Sequence, residues 1–225
     1  MSMRLLVFSD IHGRTDAFGL IKDEFDEADL VVLTGDITHF GRTEQAQAIL
    51  GRLRKFHQTI LAVTGNCDYP EVETHFIQEG ISLHLRHTLA GGYDFTGISG
   101  SLPCPGVTPQ EHTEDEYASL FQEIRKSGAD GIPMVLAMHQ PPANTVCDRV
   151  KPGLHVGSFS VRQFIESAQP LLCLCGHIHE GIGIDRIGKT ILVNPGPFRS
   201  GQYAKISLEG KEVFAEIRNV NTTRY

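Results

Sequence analysis

The chain has 225 residues, 40% of them hydrophobic, enough to bury a full core within one large domain or two small ones. Its formal net charge of −7 disfavours a general nucleic-acid-binding surface, because neutralising phosphates takes clustered lysine and arginine. There is no apolar run of about eighteen residues to cross a membrane and no secretory cleavage pattern, and the five cysteines are scattered, so a soluble cytoplasmic protein without a disulfide frame is expected.

Arg4–Asp10 is apolar up to its polar end, and Arg14–Asp29 then spaces Phe18, Ile21, Phe25 and Ala28 at helical intervals. The alternation repeats, with Leu30–Asp36 reading as strand, Thr43–His57 as helix and Thr59–Asn66 as strand. Such a βαβαβ opening predicts a parallel, buried sheet with right-handed crossovers. After a helix at Glu71–Gln78, short β pieces are expected at Ser82–Arg86, Thr88–Ala90 and Tyr93–Ser99, broken by Gly91 and Gly92. Pro103, Pro105 and Pro109 make Gly100–Gln110 a loop, followed by an amphipathic helix over Glu111–Ser127 and a strand over Pro133–His139. Gln140–Gly157 reads as a long functional loop, and Ser158 then caps a helix running to Ala168. Leu171–Cys175 leads into Gly176-His177-Ile178-His179, and Cys173 and Cys175 in that apolar run are expected in the core. Antiparallel strands follow at Gly183–Ile187, Thr190–Val193, Tyr203–Leu208 and Val213–Ile217, with hairpin turns at Gly188-Lys189 and Gly210-Lys211. The pattern suits one domain of two sheets packed face to face, with helices outside.

Polar residues stand where apolar strands end, at Asp10, Asp36, Asn66 and His139, and the carboxyl ends of strands are where open α/β sheets bind ligands. Asp10 and His12 are two apart, as are His177 and His179, so in extended backbone each pair points the same way and can grip one ion. Two-metal hydrolysis needs oxygen and imidazole donors around divalent ions roughly 3.5–4 Å apart, with a shared carboxylate. Asp10, His12, Asp36, Asn66, His139, His177 and His179 supply two carboxylates, one amide and four imidazoles. Any one of these alone reads better as a turn, a cap or an ordinary polar residue; the set carries the argument. The other histidines, His39, His57, His75, His84, His87, His112 and His155, lack this placement and are expected mostly at the surface.

Through Asp10-Ile11-His12, Gly35-Asp36, Gly65-Asn66, His139 and Gly176-His177-Ile178-His179, in that order, the chain resembles the calcineurin-like metallophosphoesterases, in particular their small single-domain bacterial and archaeal members. The resemblance implies an α/β fold, a four-layer αββα sandwich of two mixed β-sheets flanked by helices. It implies one divalent ion on Asp10, His12, Asp36 and His179, a second on Asp36, Asn66, His139 and His177, and Asp36 as the bridge. Mn, Fe, Zn, Co and Ni all suit such donors. A water between the ions, its pKa lowered toward neutrality, would then attack phosphorus in line with the leaving oxygen. The expected partner is a small phosphorylated substrate, with no membrane and no nucleic acid, and a homo-oligomer is left open.

Many family members continue Gly-Asn with a histidine that protonates the leaving alkoxide, whereas this chain reads Gly65-Asn66-Cys67-Asp68. A thiol is the poorer acid, so the resemblance favours a phosphodiester with an already good leaving group. A monoester or a nucleotide-like pyrophosphate is the second enzymatic expectation. A catalytically weak scaffold would be marked by a missing histidine at 139, 177 or 179. Asp68 is a candidate to orient His139 from behind. Arg14, with Asn144, Arg149, Lys151 and His155 of the long loop, is expected to line the substrate pocket.

Overall fold

The computed structural model describes residues 2–128 and 131–221. Its opening half contains β1 (Ser2–Phe8), α1 (Lys22–Glu27), β2 (Leu30–Thr34), α2 (Thr43–Leu53), β3 (Ile60–Val63) and α3 (Pro70–Gln78). Then come β4 (Thr88–Ala90), β5 (Tyr93–Ile98), α4 (Glu114–Ser127), β6 (Met134–Met138), β7 (Arg149–Lys151) and β8 (Leu154–His155). The remaining elements are α5 (Phe159–Ala168), β9 (Leu172–Leu174), β10 (Gly183–Ile187), β11 (Thr190–Asn194), β12 (Gln202–Glu209) and β13 (Glu212–Asn219).

As the βαβαβ pattern predicts, β1, β2 and β3 pair in parallel. The last two strands return to them, giving the order β13-β12-β1-β2-β3, with β12 antiparallel to β1. A second sheet runs β10-β11-β9-β6-β5-β4, parallel through its centre and antiparallel at both edges. Strand alternation sorts the side chains into layers. Leu5, Val7 and Val32 of the first sheet meet Val135, Ala137 and Leu174 of the second. The intervening residues face outward: Leu6, Phe8, Val31 and Leu33 pack on α1–α3. Leu136, Met138 and Cys173 pack on α4 and α5, with Cys175 fully buried in the same layer. This is the four-layer αββα sandwich.

Several boundaries differ from expectation, for local reasons. Helix does not start at Arg14, because Gly13 (φ 78) and the Arg14 N–H to Ile11 carbonyl bond form a turn; a 3-10 turn at Phe18–Ile21 and the short α1 take its place. The helix after the second strand ends at Leu53, four residues before His57. Glu111–Thr113 stays outside α4, since Thr113 and Glu116 form a reciprocal capping box. Ser82–Arg86 makes only isolated bridges, and Leu85 at φ 54 breaks the extended path. The long loop is organised by one carboxylate: Asp148 accepts from the backbone N–H groups of Asn144, Thr145 and Gly157 and bonds the His155 ring, and the segment carries the β7–β8 hairpin.

Candidate metal centre

All the strand-end motifs reach one place, but by a backbone route that alternation does not describe. Asp10 (φ 52), His12 (φ 46), Asp36 (φ 50) and His177 (φ 66) are left-handed, so the expectation that extended backbone aims Asp10 with His12, and His177 with His179, is corrected. At each of these residues, just past the end of a strand, the backbone turns out of the extended path. Such conformations cost on the order of 1–3 kcal/mol per residue and persist where the surroundings over-determine them. Here Asp10 N–H donates to Gly35 O at 3.0 Å and His12 N–H to Asp36 O at 2.9 Å, so the turns after β1 and β2 brace each other. The space is tight enough to explain two of the glycines: a Cβ on Gly65 would lie 2.1 Å from Asp36 Oδ1, and one on Gly176 1.7 Å from Ser9 Oγ.

His179 Nε2 lies 3.1 Å from Asp10 Oδ1, and His12 Nε2 lies 3.9 Å from Asp10 Oδ1 and 3.7 Å from Asp36 Oδ2. Across the same carboxylate, His139 Nε2 is 3.4 Å from Asp36 Oδ1 and 3.1 Å from Asn66 Oδ1, and the His139 and His177 rings are 5.0 Å apart. The structure thus brings all seven residues together, with Asp36 between the two groups. Whether they fit cations is tested by His12, both of whose ring nitrogens are buried without a hydrogen-bond partner. A buried imidazole left so is costly unless something ligates it. Asp10, His12 and His179 offer donor atoms within 4.8 Å of one another, and so do Asp10, Asp36 and His139. Carboxylate oxygens and imidazole nitrogens are the donors that borderline divalent ions take. The residues present fit.

Burial acts on every group here, and the neighbours decide the outcome. It raises the Asp36 carboxyl, yet His139 and His12 and the Cys67 N–H outweigh it and hold Asp36 well below the usual carboxylate range. Burial lowers His139, and Asp36 overcomes this, pushing the imidazole up to about 9. His177 has no such partner, so burial and then His139 push it down to about 4. Of the two rings His139 holds a proton the more readily, and a divalent ion ligated there would displace it.

Other placements correct the sequence analysis. Asp68 does not touch His139; its buried carboxylate takes the backbone N–H groups of Ile37, Thr38 and Gly65, bracing the Asp36 and Asn66 turns, while the Thr34 carbonyl bonds His139 Nδ1 at 2.8 Å. His75 is buried, His57, His84, His87 and His112 are half-buried, and of the seven only His39 and His155 are exposed. Arg14 borders an open cleft beside His12, but His155 is bound to Asp148. Asn144, Arg149 and Lys151 lie on the loop that Asp148 ties down.

Cys67 is buried beside Asp36, and burial, then Asp36 and Asp68, push its thiol upward. Two residues went unnoticed in the sequence. Cys104 joins Cys67 in accepting from Asn66 Nδ2, each at 3.7 Å, which leaves the amide oxygen facing His139. Arg199 donates to His179 Nδ1 at 3.1 Å. Its one signal was position, three residues past Gly196 in the Pro-Gly turn that follows β11.

A family model described as calcineurin-like phosphoesterase matches residues 3–181. An uncharacterized protein of Methanocaldococcus jannaschii, MJ1162, is 36% identical over 199 residues, covering 87% of this chain and 88% of its own length. The crystal structure of TT1561 of Thermus thermophilus superposes with a TM-score of 0.76 at 19% identity, over 98% of this chain and 100% of that one. Purple acid phosphatase PPD1 from yellow lupin (Lupinus luteus) seeds superposes with a TM-score of 0.66 at 11% identity, over 98% of this chain and 52% of that one. At those identities the two solved structures speak for the fold alone.

Proposed function

This chain belongs to the calcineurin-like phosphoesterase family and is a metal-dependent phosphoester hydrolase, and we propose that its substrate is a phosphodiester with a good leaving group. The family typically binds two divalent ions. We assign one to Asp10, His12, Asp36 and His179 and the other to Asp36, Asn66, His139 and His177. Ions held there supply Lewis acidity at the phosphoryl oxygens and an activated water at neutral pH.

The protein's own contribution is positioning. Ser9 Oγ–H donates to Asp10 Oδ2 at 2.5 Å and fixes that carboxylate. The Thr34 carbonyl holds the His139 ring with Nε2 toward Asn66 and Asp36. Cys67 and Cys104 hold the Asn66 amide.

The observation that carries the reading is that a buried cysteine, Cys67, stands beside Asn66 where many family members carry the histidine that protonates the leaving group. A thiol is the poorer acid, so the leaving oxygen departs largely as an anion and the rate depends on how well it tolerates that charge. The test is a series of substituted phenyl diesters, with log kcat/KM plotted against leaving-group pKa. The expected slope is steep for the parent and shallower for Cys67→His, which gains roughly a hundredfold on the poorest leaving groups. A shallow slope in the parent would assign the proton to another group and overturn the proposal.

A further inference from the structure

Beside His12 the surface opens into a cleft of about 380 Å³ lined by His12, Arg14, His39, Arg199 and Ser200. On a chain of net charge −7, this wall presents two guanidinium groups and no carboxylate. Its size falls within the roughly 300–1,000 Å³ of small-molecule sites.

Arg199 sits on a pinned stretch of main chain, and Arg14 is held loosely. The Arg199 N–H donates to the Asp10 carbonyl at 3.2 Å. Its neighbour Phe198 is buried with its ring 4.7 Å from Phe8 and 4.8 Å from Phe18, so the main chain there is pinned to the end of β1. The Arg199 guanidinium meets an imidazole nitrogen of His179, and among the described residues it has no carboxylate counter-ion. Arg14 follows the left-handed turn of His12 and Gly13, and its contact is a 3.3 Å bond from Nε to Asp16, in which both side chains are mostly exposed. An exposed pair of that kind is worth little and yields readily to a ligand. The His39 ring stands edge-on to His12 at 5.3 Å and closes the wall.

Depth separates this cleft from the reacting centre. Side-chain exposure is 4% at Asp36 and 7% at His12 but 64% at Arg14, and Arg199 is exposed too, so both arginines stand nearer solvent than Asp36, which the scissile group must reach. We infer that the cleft is an anion subsite that receives a second phosphate, carried on the arm of the diester that is retained. Guanidinium forks match phosphate oxygens two at a time, and a phosphate monoester at neutral pH brings a charge of about −1.5 to −2 with three acceptor oxygens. The inference rests on the diester reading and names its substrate class: a phosphodiester bearing a terminal phosphate.

The test uses p-nitrophenyl diesters whose retained arm is an ethyl chain ending in hydroxyl, carboxylate or phosphate. They are assayed with the metal-loaded parent, Arg14→Ala, Arg199→Ala, Arg199→Lys and the double alanine variant. The parent should favour the phosphate arm over the hydroxyl arm on the order of tenfold or more, with carboxylate between. That ratio should fall to about one in the double variant whatever the absolute rates do, and only partly in Arg199→Lys, which keeps charge without the fork. Calorimetric titration of inorganic phosphate into metal-free protein supplies the second readout: binding to the parent, none to the double variant, at unchanged circular dichroism. A ratio that survives in the double variant, or a parent without preference, overturns the subsite. Equal preference for carboxylate and phosphate overturns the assignment to phosphate. A parent that cleaves none of these diesters overturns the diester reading and the substrate class with it, while loss of phosphate binding in the double variant would still support the anion subsite.

Discussion

The two sheets bring different chemistry to their common edge. From β1, β2 and β3 come both carboxylates, the amide and a single imidazole; from β6 and β9 come three imidazoles and no carboxylate. Neither edge alone would make the centre. The first is an excess of buried negative charge, the second a cluster of rings that cannot all hold protons, and it is their facing each other that pulls Asp36 down and His139 up. Ion binding is therefore coupled to the packing of one sheet on the other, and part of its free energy stabilises the sandwich.

The sharpest way to break that symmetry is to remove one member from each side. Asp36→Ala takes away the group that both sets share, so bound metal should fall from about two ions toward none and kcat/KM by on the order of a thousandfold or more. His139→Ala removes a donor from one set only and should leave about one ion per chain. Elemental analysis of the purified variants decides it, and Asp36→Ala protein that keeps both ions would rule out the bridge.

Protons give a second, gentler handle. Without metal, His139 is raised from its ordinary 6.5 to about 9 by Asp36 against the opposing effect of burial. A raised histidine contributes stability that is complete below the unfolded value and is lost as pH climbs through the folded one. The melting temperature of chelator-treated protein should thus fall between about pH 6.5 and 9. The apparent affinity for the ion that His139 would hold should rise over the same window, because that ion must displace the proton. Melting scans and metal titrations in parallel would show the two trends crossing; parallel trends would mean that His139 carries no proton to displace.

How much of this was legible beforehand follows the range of the interactions. A strand buried on both faces writes itself as a continuous apolar run, so the polar residue that ends it stands out, and Asp10, Asp36, Asn66 and His139 could be picked out one strand at a time. The pairing of β12 with β1, registered between Leu208 and Met3, depends on residues some two hundred positions apart and leaves no local mark. Nor does the left-handed backbone at His12 or His177, since neither residue type announces it as glycine would. Arg199 looked like any surface cation until the turn after β11 folded back on Asp10. The half-buried histidines were misjudged for a related reason. His87, for example, bonds Asp94 at 2.8 Å and the Ile124 carbonyl at 3.1 Å, partners that spacing along the chain does not disclose.

The finest test of the contrast touches a residue outside the seven. Cys104→Ala removes one of the two sulfur acceptors that hold the Asn66 amide and leaves every charge in place. Sulfur accepts weakly, so metal affinity should drop by roughly tenfold at most, with unchanged stoichiometry. Affinity equal to the parent's would show that Cys67 holds the amide alone.

The left-handed turns at Asp10, Asp36, His12 and His177 also bear on how such a centre is inherited. A single base change converts an aspartate codon to asparagine or glycine, both of which tolerate the left-handed backbone at these positions, and also to valine, whose branched Cβ does not. A lineage relieved of hydrolysis would be expected to drift through asparagine and glycine at positions 10 and 36, losing charge while keeping the shape of the turns. The fold would outlive the chemistry, and what remained would be a scaffold with the same sheet edge and an empty grip.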